Sequence, residues 1–171
     1  MKKMALALAL ALLSTTLALL LAPATSQAAV TPTKAEKRVI ALVNKERAGK
    51  SLAPVRFNAA LTRAARAHAR ELARRGVLTH RSANGDTVAR RLIRHGYKRA
   101  GYRFWSAGEN VARARAGTLL ATPSGAVCLW MSSRPHRQVI LKANLRNVGV
   151  GVARSASGQR YFTLDLGRRV R

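Results

Sequence analysis

Between residues 33 and 75 the apolar positions recur at the helical period. Thr33 followed by Glu36 forms a capping-box pattern, and Val39, Ile40 and Val43 supply one apolar stripe, so a helix is expected from there to about Arg47, ended by Gly49. Leu52 to Phe57 reads as an irregular bridge containing Pro54, and Asn58 reads as an N-cap. The helix from Asn58 to Arg75 has the clearest pattern. Leu61, Ala65, His68 and Leu72 share one face, Arg63, Arg66, Arg70 and Arg74 share the opposite one, and Gly76 supplies the stop.

The pattern breaks from Val77 to Ala107, apart from a turn at Asn84-Gly85 and a short helix from about Thr87 to His95 before Gly96. A further helix should begin near Ser124, bury Val127, Trp130 and Met131, and break before Pro135, with one more turn from His136 to Leu141. Asn147 to Arg154 and Gln159 to Gly167 alternate with period two around a Ser-Ala-Ser-Gly turn, which predicts a hairpin. Helices followed by a terminal hairpin point to a layered α+β domain with an antiparallel sheet.

The first 28 residues change where this domain is expected to reside. Lys2 and Lys3 precede an apolar run from Met4 to Leu21, and Ser26-Gln27-Ala28 is a small-x-small site, the form of a signal peptide cleaved after Ala28. An uncleaved N-terminal anchor is the rival reading of the same stretch. Later segments are too short and too polar to span a bilayer, so the mature protein is expected to be secreted, periplasmic or extracellular, with no membrane span. Cys128 is the single cysteine, which rules out an internal disulfide; it is expected to pack as a small apolar residue beside Trp130.

Charge adds a second constraint. Thirty-two Lys and Arg stand against six Asp and Glu, and without the two leader lysines the remainder carries a formal +24. Such a field favours anionic envelope polymers or acidic lipid as partners, with nucleic acid bound only non-specifically, because no nucleic-acid-binding motif accompanies the charge.

A set of short motifs spans residues 36 to 167. They are Leu42-Val43-Asn44-x-x-Arg47, Thr79-His80 with Ser82 and Gly85, Gly108-Glu109-Asn110, Trp130-Met131-x-Ser133, His136-Arg137 with Ile140-Leu141, Val148-Gly149-Val150-Gly151, and Tyr161-x-Thr163 with Gly167. In this order they resemble the bacterial CAP superfamily, named for cysteine-rich secretory proteins, antigen five and pathogenesis-related proteins. With the signal peptide over 1–28 and a linker over 29–35, the resemblance implies a CAP (SCP-like) domain over 36–169, folded as a three-layer α-β-α sandwich with a central antiparallel sheet. It also implies a cleft in which His80, Glu109 and His136 are candidate ligands for a divalent metal such as zinc, lined further by Asn110 and Ser133. Ser133 stands where many members carry a second acid, so any metal is expected to bind weakly. Pro135, Val139 and Leu164 also depart from the family pattern, where Gly, Asn and Gln are usual.

Two imidazoles and one carboxylate are acceptable zinc ligands. Without metal, a carboxylate between two histidines would favour their protonated forms. Alternatively, Glu109 and Asn110 cap backbone and pin the sheet to the helices. His68 reads as a satisfied core histidine, His95 as a cation at a helix C-terminus, and Asn44 with Arg47 as a polar pair that holds the fold. Trp105 and Phe104 could line the cleft. Nucleophilic catalysis by Ser133 would need an oxyanion hole and an aimed base, which the sequence does not display. The resulting expectation is a binding module of the cell envelope or exterior with a His/Glu cleft for a metal or a small or lipid-like ligand. The alternative is a metal-dependent, protease-like hydrolase using the same cleft.

Overall fold

The computed structural model describes residues 29–171, so the leader over 1–28 lies outside the described residues. Helix α1 (Lys34–Ala48) begins with the expected capping box: Glu36 N–H donates to Thr33 Oγ1 at 3.3 Å and Thr33 N–H to Glu36 Oε2 at 2.8 Å. After β1 (Arg56–Phe57), α2 (Ala59–Arg75) starts on the Asn58 side chain and stops at Gly76, whose φ of 67° is left-handed. Next come α3 (Val88–Arg94), β2 (Phe104–Arg115), a 3-10 turn (Leu119–Ala121), α4 (Pro123–Ser132), α5 (Arg134–Ile140), β3 (Asn147–Arg154) and β4 (Gln159–Val170).

The sheet order is β1-β3-β4-β2. Its three long strands are antiparallel neighbours, as expected, while two-residue β1 adds in parallel at the β3 edge, which makes the sheet mixed. One face carries Val148, Val150, Phe162, Leu164 and Leu166 against Val39 and Val43 of α1, Val127 and Trp130 of α4, and Ile140 of α5. The other face lies under α2 and α3, where Leu61, Leu92 and Tyr97 form one buried group and Leu72, Val111 and Tyr161 another. Helices therefore cover both faces in an α-β-α sandwich.

The Gly-Val-Gly stretch of β3 sets how closely α2 approaches. A Cβ at Gly149 would lie 2.2 Å from the backbone of Leu61, and one at Gly151 2.2 Å from Ala65 O. Only hydrogen at these positions lets the helix backbone rest on the strand, which brings His68, one turn further along α2, down to the sheet surface.

The polar pair of α1 holds the fold, as its sequence setting implied. Asn44 exchanges two hydrogen bonds with the backbone of Val55, and fully buried Arg47 donates to the carbonyls of Ala53, Ile140, Lys142 and Leu145. Trp130 is in the core, but Cys128 is exposed: Ala126, Val127 and Trp130 define the inward face of α4, and Cys128 falls on the outward one. Pro135 lies in the first turn of α5, where its missing N–H removes no helical bond, so α5 begins at Arg134 rather than after the proline. His95 ends α3, yet burial and the charges of Arg63, Arg94 and Arg91 hold its imidazole below the ordinary value, which opposes the cationic role expected from the helix dipole alone.

Candidate functional site

The Gly108-Glu109-Asn110 triplet lies within β2, a strand the hydrophobic pattern did not reveal because Phe104 to Arg115 mixes Gly, Ser and Arg with small apolar residues. Successive residues of a strand point to opposite faces. Glu109 accordingly faces α2 and α3 while Asn110 faces α5, where its Nδ2 donates to His136 O at 2.9 Å. One strand thus ties together the two sequence-distant segments that bear His80 and His136.

Glu109 is buried and both its oxygens are engaged. His80 Nδ1 donates to Oε1 at 2.8 Å, and Arg91 of α3 forms an ion pair with Oε2. Arg91 also donates to His80 O at 3.2 Å and to Ser82 Oγ at 3.0 Å, so it fastens the loop that carries His80. His68 completes the surround: its Nε2 lies 3.9 Å from Glu109 Oε1 and donates to Thr79 O at 2.8 Å, and its Nδ1 is buried without a partner among the described residues. Across the ladder, Asp165 of β4 is the register partner of Glu109, fully buried, and neither of its oxygens meets a protein donor among the described residues.

These contacts set the charge states. Burial works to raise the Glu109 carboxyl, but the bond from His80 and the charge of Arg91 outweigh it and hold the group below the usual range. Burial, reinforced by the Glu109 charge, pushes Asp165 well above it, so Glu109 is the acid of the pair that ionises first. The bond to Glu109 raises His80. Burial lowers His68, and burial followed by the charge of His80 lowers His136. Glu109 thus favours the protonated form of His80, while burial and the His80 charge favour the neutral form of His136.

Of the residues expected from sequence, His80, Glu109, Asn110 and His136 are linked in this way. Ser133 joins α4 to α5; its backbone N–H bonds to Trp130 O, and its hydroxyl makes no hydrogen bond to His136 or to any other described residue. Trp105 lies elsewhere, packed on Tyr97 with its Nε1 donating to Tyr97 O at 3.1 Å. Arg91 and Asp165 were not anticipated, and His68 was expected to be only a core residue. Asp165 had one legible signal, an acid at the inward position of an alternating strand in a chain with six acids. Arg91 had none, since Arg90, Arg91 and Arg94 look alike in sequence.

The donor set does not fit a three-ligand metal centre. Arg91 already supplies the positive charge at Glu109, and among the described residues no three His, Cys, Asp or Glu side chains gather as a metal site would require. His80 Nε2 and the His136 ring, which take part in no hydrogen bond among the described residues, are the donors left. Glu109 acts behind them by fixing the His80 tautomer and ring orientation.

The profile of the cysteine-rich secretory protein family, CAP, matches residues 40–166. The chain is 32% identical over 143 residues to the uncharacterized protein YkwD of Bacillus subtilis (strain 168), a match that covers 80% of this chain and 52% of that protein, so the chain spans about half the length of this relative. An extracellular protein containing an SCP domain from Bacillus anthracis superposes with a TM-score of 0.65 at 22% identity, over 82% of this chain and 44% of that one. An outer surface protein of Borrelia burgdorferi gives 0.65 at 17% identity, over 78% and 91%. A cysteine-rich secretory protein of Staphylococcus aureus gives 0.54 at 19%, over 81% and 40%. These likenesses at low identity carry the fold, and the profile match carries the family: the chain belongs to the cysteine-rich secretory protein, or CAP, family.

Proposed function

We propose that this protein is an exported CAP-domain binding module of the cell envelope or exterior, whose His80/His136 face takes the anionic head of a small or lipid-like ligand and whose arginine exterior attaches it to anionic polymers. The observation that carries the first part is the placement of His80. Its side chain is 51% exposed, yet its Nδ1 is fixed on a carboxylate that is itself buried and locked by Arg91. A ring held at the surface at one orientation, with its protonated form favoured by Glu109, is prepared to donate its remaining N–H to an incoming oxyanion without reorganising. His136, whose neutral form is favoured by burial and by the His80 charge, supplies a second ring able to donate or accept.

Export is supported by the leader pattern of residues 1–28 and by the extracellular and surface descriptions of the structural relatives. No described helix is long and apolar enough to cross a membrane. Attachment to polymers is supported by the charge. Four of the six acids take one arginine each, which leaves most of the cationic surface available to other partners. The hydrolase reading draws less support, because the Arg91–Glu109 pair leaves Glu109 neither a free metal ligand nor a free base.

The test is titration of the purified protein with fatty acids of graded chain length and with short carboxylates, read by calorimetry beside the His80→Ala and His136→Ala variants. Binding that falls at least tenfold in both folded variants is expected. Variants that fold normally and bind as the parent does would remove the cleft from the reading. Stoichiometric zinc retained through purification without added metal, with stabilisation that a chelator reverses, would favour the hydrolase instead.

A further inference from the structure

The four arginines that make one stripe of α2 in sequence meet different fates in the fold. Arg66 is bound to Glu36 through both Nε and Nη2, at 2.7 and 2.6 Å, and Arg63 donates to His95 O. Arg70 and Arg74 are exposed and make no hydrogen bond or ion pair among the described residues, and the same holds for Arg154 at the end of β3. These three residues line one groove of about 700 Å³ between the C-terminal end of α2 and the β3–β4 turn. It lies away from the Glu109 cluster.

We infer that this groove is a binding site for the phosphodiester groups of an anionic polymer built from small polyol or sugar units. The inference rests on the polymer-attachment reading above and gives it a location and a chemistry. Arg70, Arg74 and Arg75 come from one wall and Arg154 from the other, so cationic side chains border the groove on two sides. A carboxylate offers one planar edge to guanidinium forks, whereas a phosphate presents oxygens in three dimensions and can accept from both walls at once.

The rest of the lining agrees with this occupant. No acid lines the groove, and Glu71, one turn before Arg75 on α2, is already neutralised by it at 3.1 Å. Ala73, Ala153 and Ala156 leave a low floor on which a glycerol or sugar unit can lie, and Ser155 and Ser157, whose hydroxyls bond to each other at 3.0 Å, complete the turn side of the lining. No aromatic side chain is present to stack a base, which separates the groove from a single-stranded nucleic-acid channel. The negative pole of α2 ends here and opposes an anion, but Arg113 Nη1 donates to Gly76 O at 2.9 Å and engages one of the terminal carbonyls.

The test compares two triple variants of equal charge. R70Q/R74Q/R154Q removes the unpartnered cations of the groove; R38Q/K50Q/R99Q removes three exposed cations from other parts of the surface. Binding of each purified protein to poly(glycerol phosphate) is measured at 0.15 M NaCl and across a salt series, with polyglutamate, a single-stranded oligothymidylate and phosphatidylglycerol vesicles as further arms. The groove triple is expected to lose at least tenfold in affinity for poly(glycerol phosphate) and the control triple less than threefold, with unchanged thermal midpoints. The slope of log affinity against log salt should flatten by about two to three in the groove triple only. Equal losses in the two triples would overturn the groove while leaving charge-driven attachment in place. A parent protein that none of the four polyanions retains would overturn both. A groove-dependent preference for polyglutamate, the oligonucleotide or the vesicles over poly(glycerol phosphate) would overturn the assigned occupant.

Discussion

Glu109 and Asp165 face each other as register partners on β2 and β4, two carboxyl groups on one buried sheet surface with a single arginine, Arg91, to neutralise them. Only one of them can ionise at modest cost, and Arg91 together with His80 selects Glu109. An acid held protonated in the fold but ionised in the unfolded chain contributes stability at low pH that is lost as pH rises above its ordinary value. Asp165→Asn keeps the size and polarity of the side chain without that penalty. It should therefore raise the thermal midpoint at pH 7 by about 2–4 °C, the response of a domain this size to about 1 kcal/mol, and the gain should vanish near pH 3.5 in a pH series of melts.

Removing Arg91 has the opposite consequence. Arg91→Met leaves Glu109 buried with one cation fewer, and breaking a buried pair from one side costs about 3–5 kcal/mol. Denaturant titration should show that loss. The double variant Arg91→Met with Glu109→Gln should regain most of it, because the uncompensated charge is then gone; a double variant no more stable than the single one would show that packing, not charge, governs the site.

Two histidines on the same carboxylate respond to acid in opposite directions. His80 is raised by its bond to Glu109, so it adds stability below its unfolded value near 6.5 that is lost as pH rises through its folded value. His68 is lowered by burial, so its contribution is present above about 6.5 and is lost as pH falls. His80→Ala should therefore make unfolding free energy fall more steeply than in the parent between pH 7 and pH 5, and His68→Gln should make it fall less steeply. NMR titration of the two C2 protons offers an independent check, with His80 moving at higher pH than His68.

Gly151→Ala tests the close approach of α2. The added methyl would meet the backbone of Ala65 and Arg66, which cannot rotate away, so destabilisation at or beyond the upper end of the usual overpacking cost of about 1–3 kcal/mol is expected. The equivalent change at Gly158, where no atom lies within 4 Å of the new Cβ, should cost less and only through its positive φ of 74°.

Much of the scaffold was legible because local chemistry wrote it. The capping box at Thr33, the Asn58 cap, the Gly76 stop and the alternation of β3 and β4 each depend on neighbours a few residues away, and each element lies where those signals placed it. Strand β2 escaped because its face is polar where it meets the site and half of its apolar positions are alanine, so alternation carried little contrast. The site was legible only through resemblance: His80, Glu109 and His136 come from three elements that meet by tertiary contact. Arg91 and Asp165 remained hidden because an arginine among arginines and an acid within a strand acquire their meaning from burial, which sequence spacing does not encode. Cys128 erred for a simpler reason, since its neighbours Val127 and Trp130 are buried and helical geometry turns it away from both.

The position of β2 has a bearing on how copies of this protein meet. Its only strand neighbour among the described residues is β4, so a twelve-residue edge presents one row of amides and carbonyls that no described strand completes. Such an edge invites a second chain to add to the sheet. Here every approaching copy brings the same large positive charge, so mutual repulsion guards the edge as long as the field reaches across the gap. That reach is about 8 Å at physiological ionic strength and about 3 Å in 1 M salt. The arginine excess proposed to attach the protein to polyanions would by the same physics oppose edge-to-edge pairing of copies, and concentrated salt or a saturating polyanion would release both restraints together.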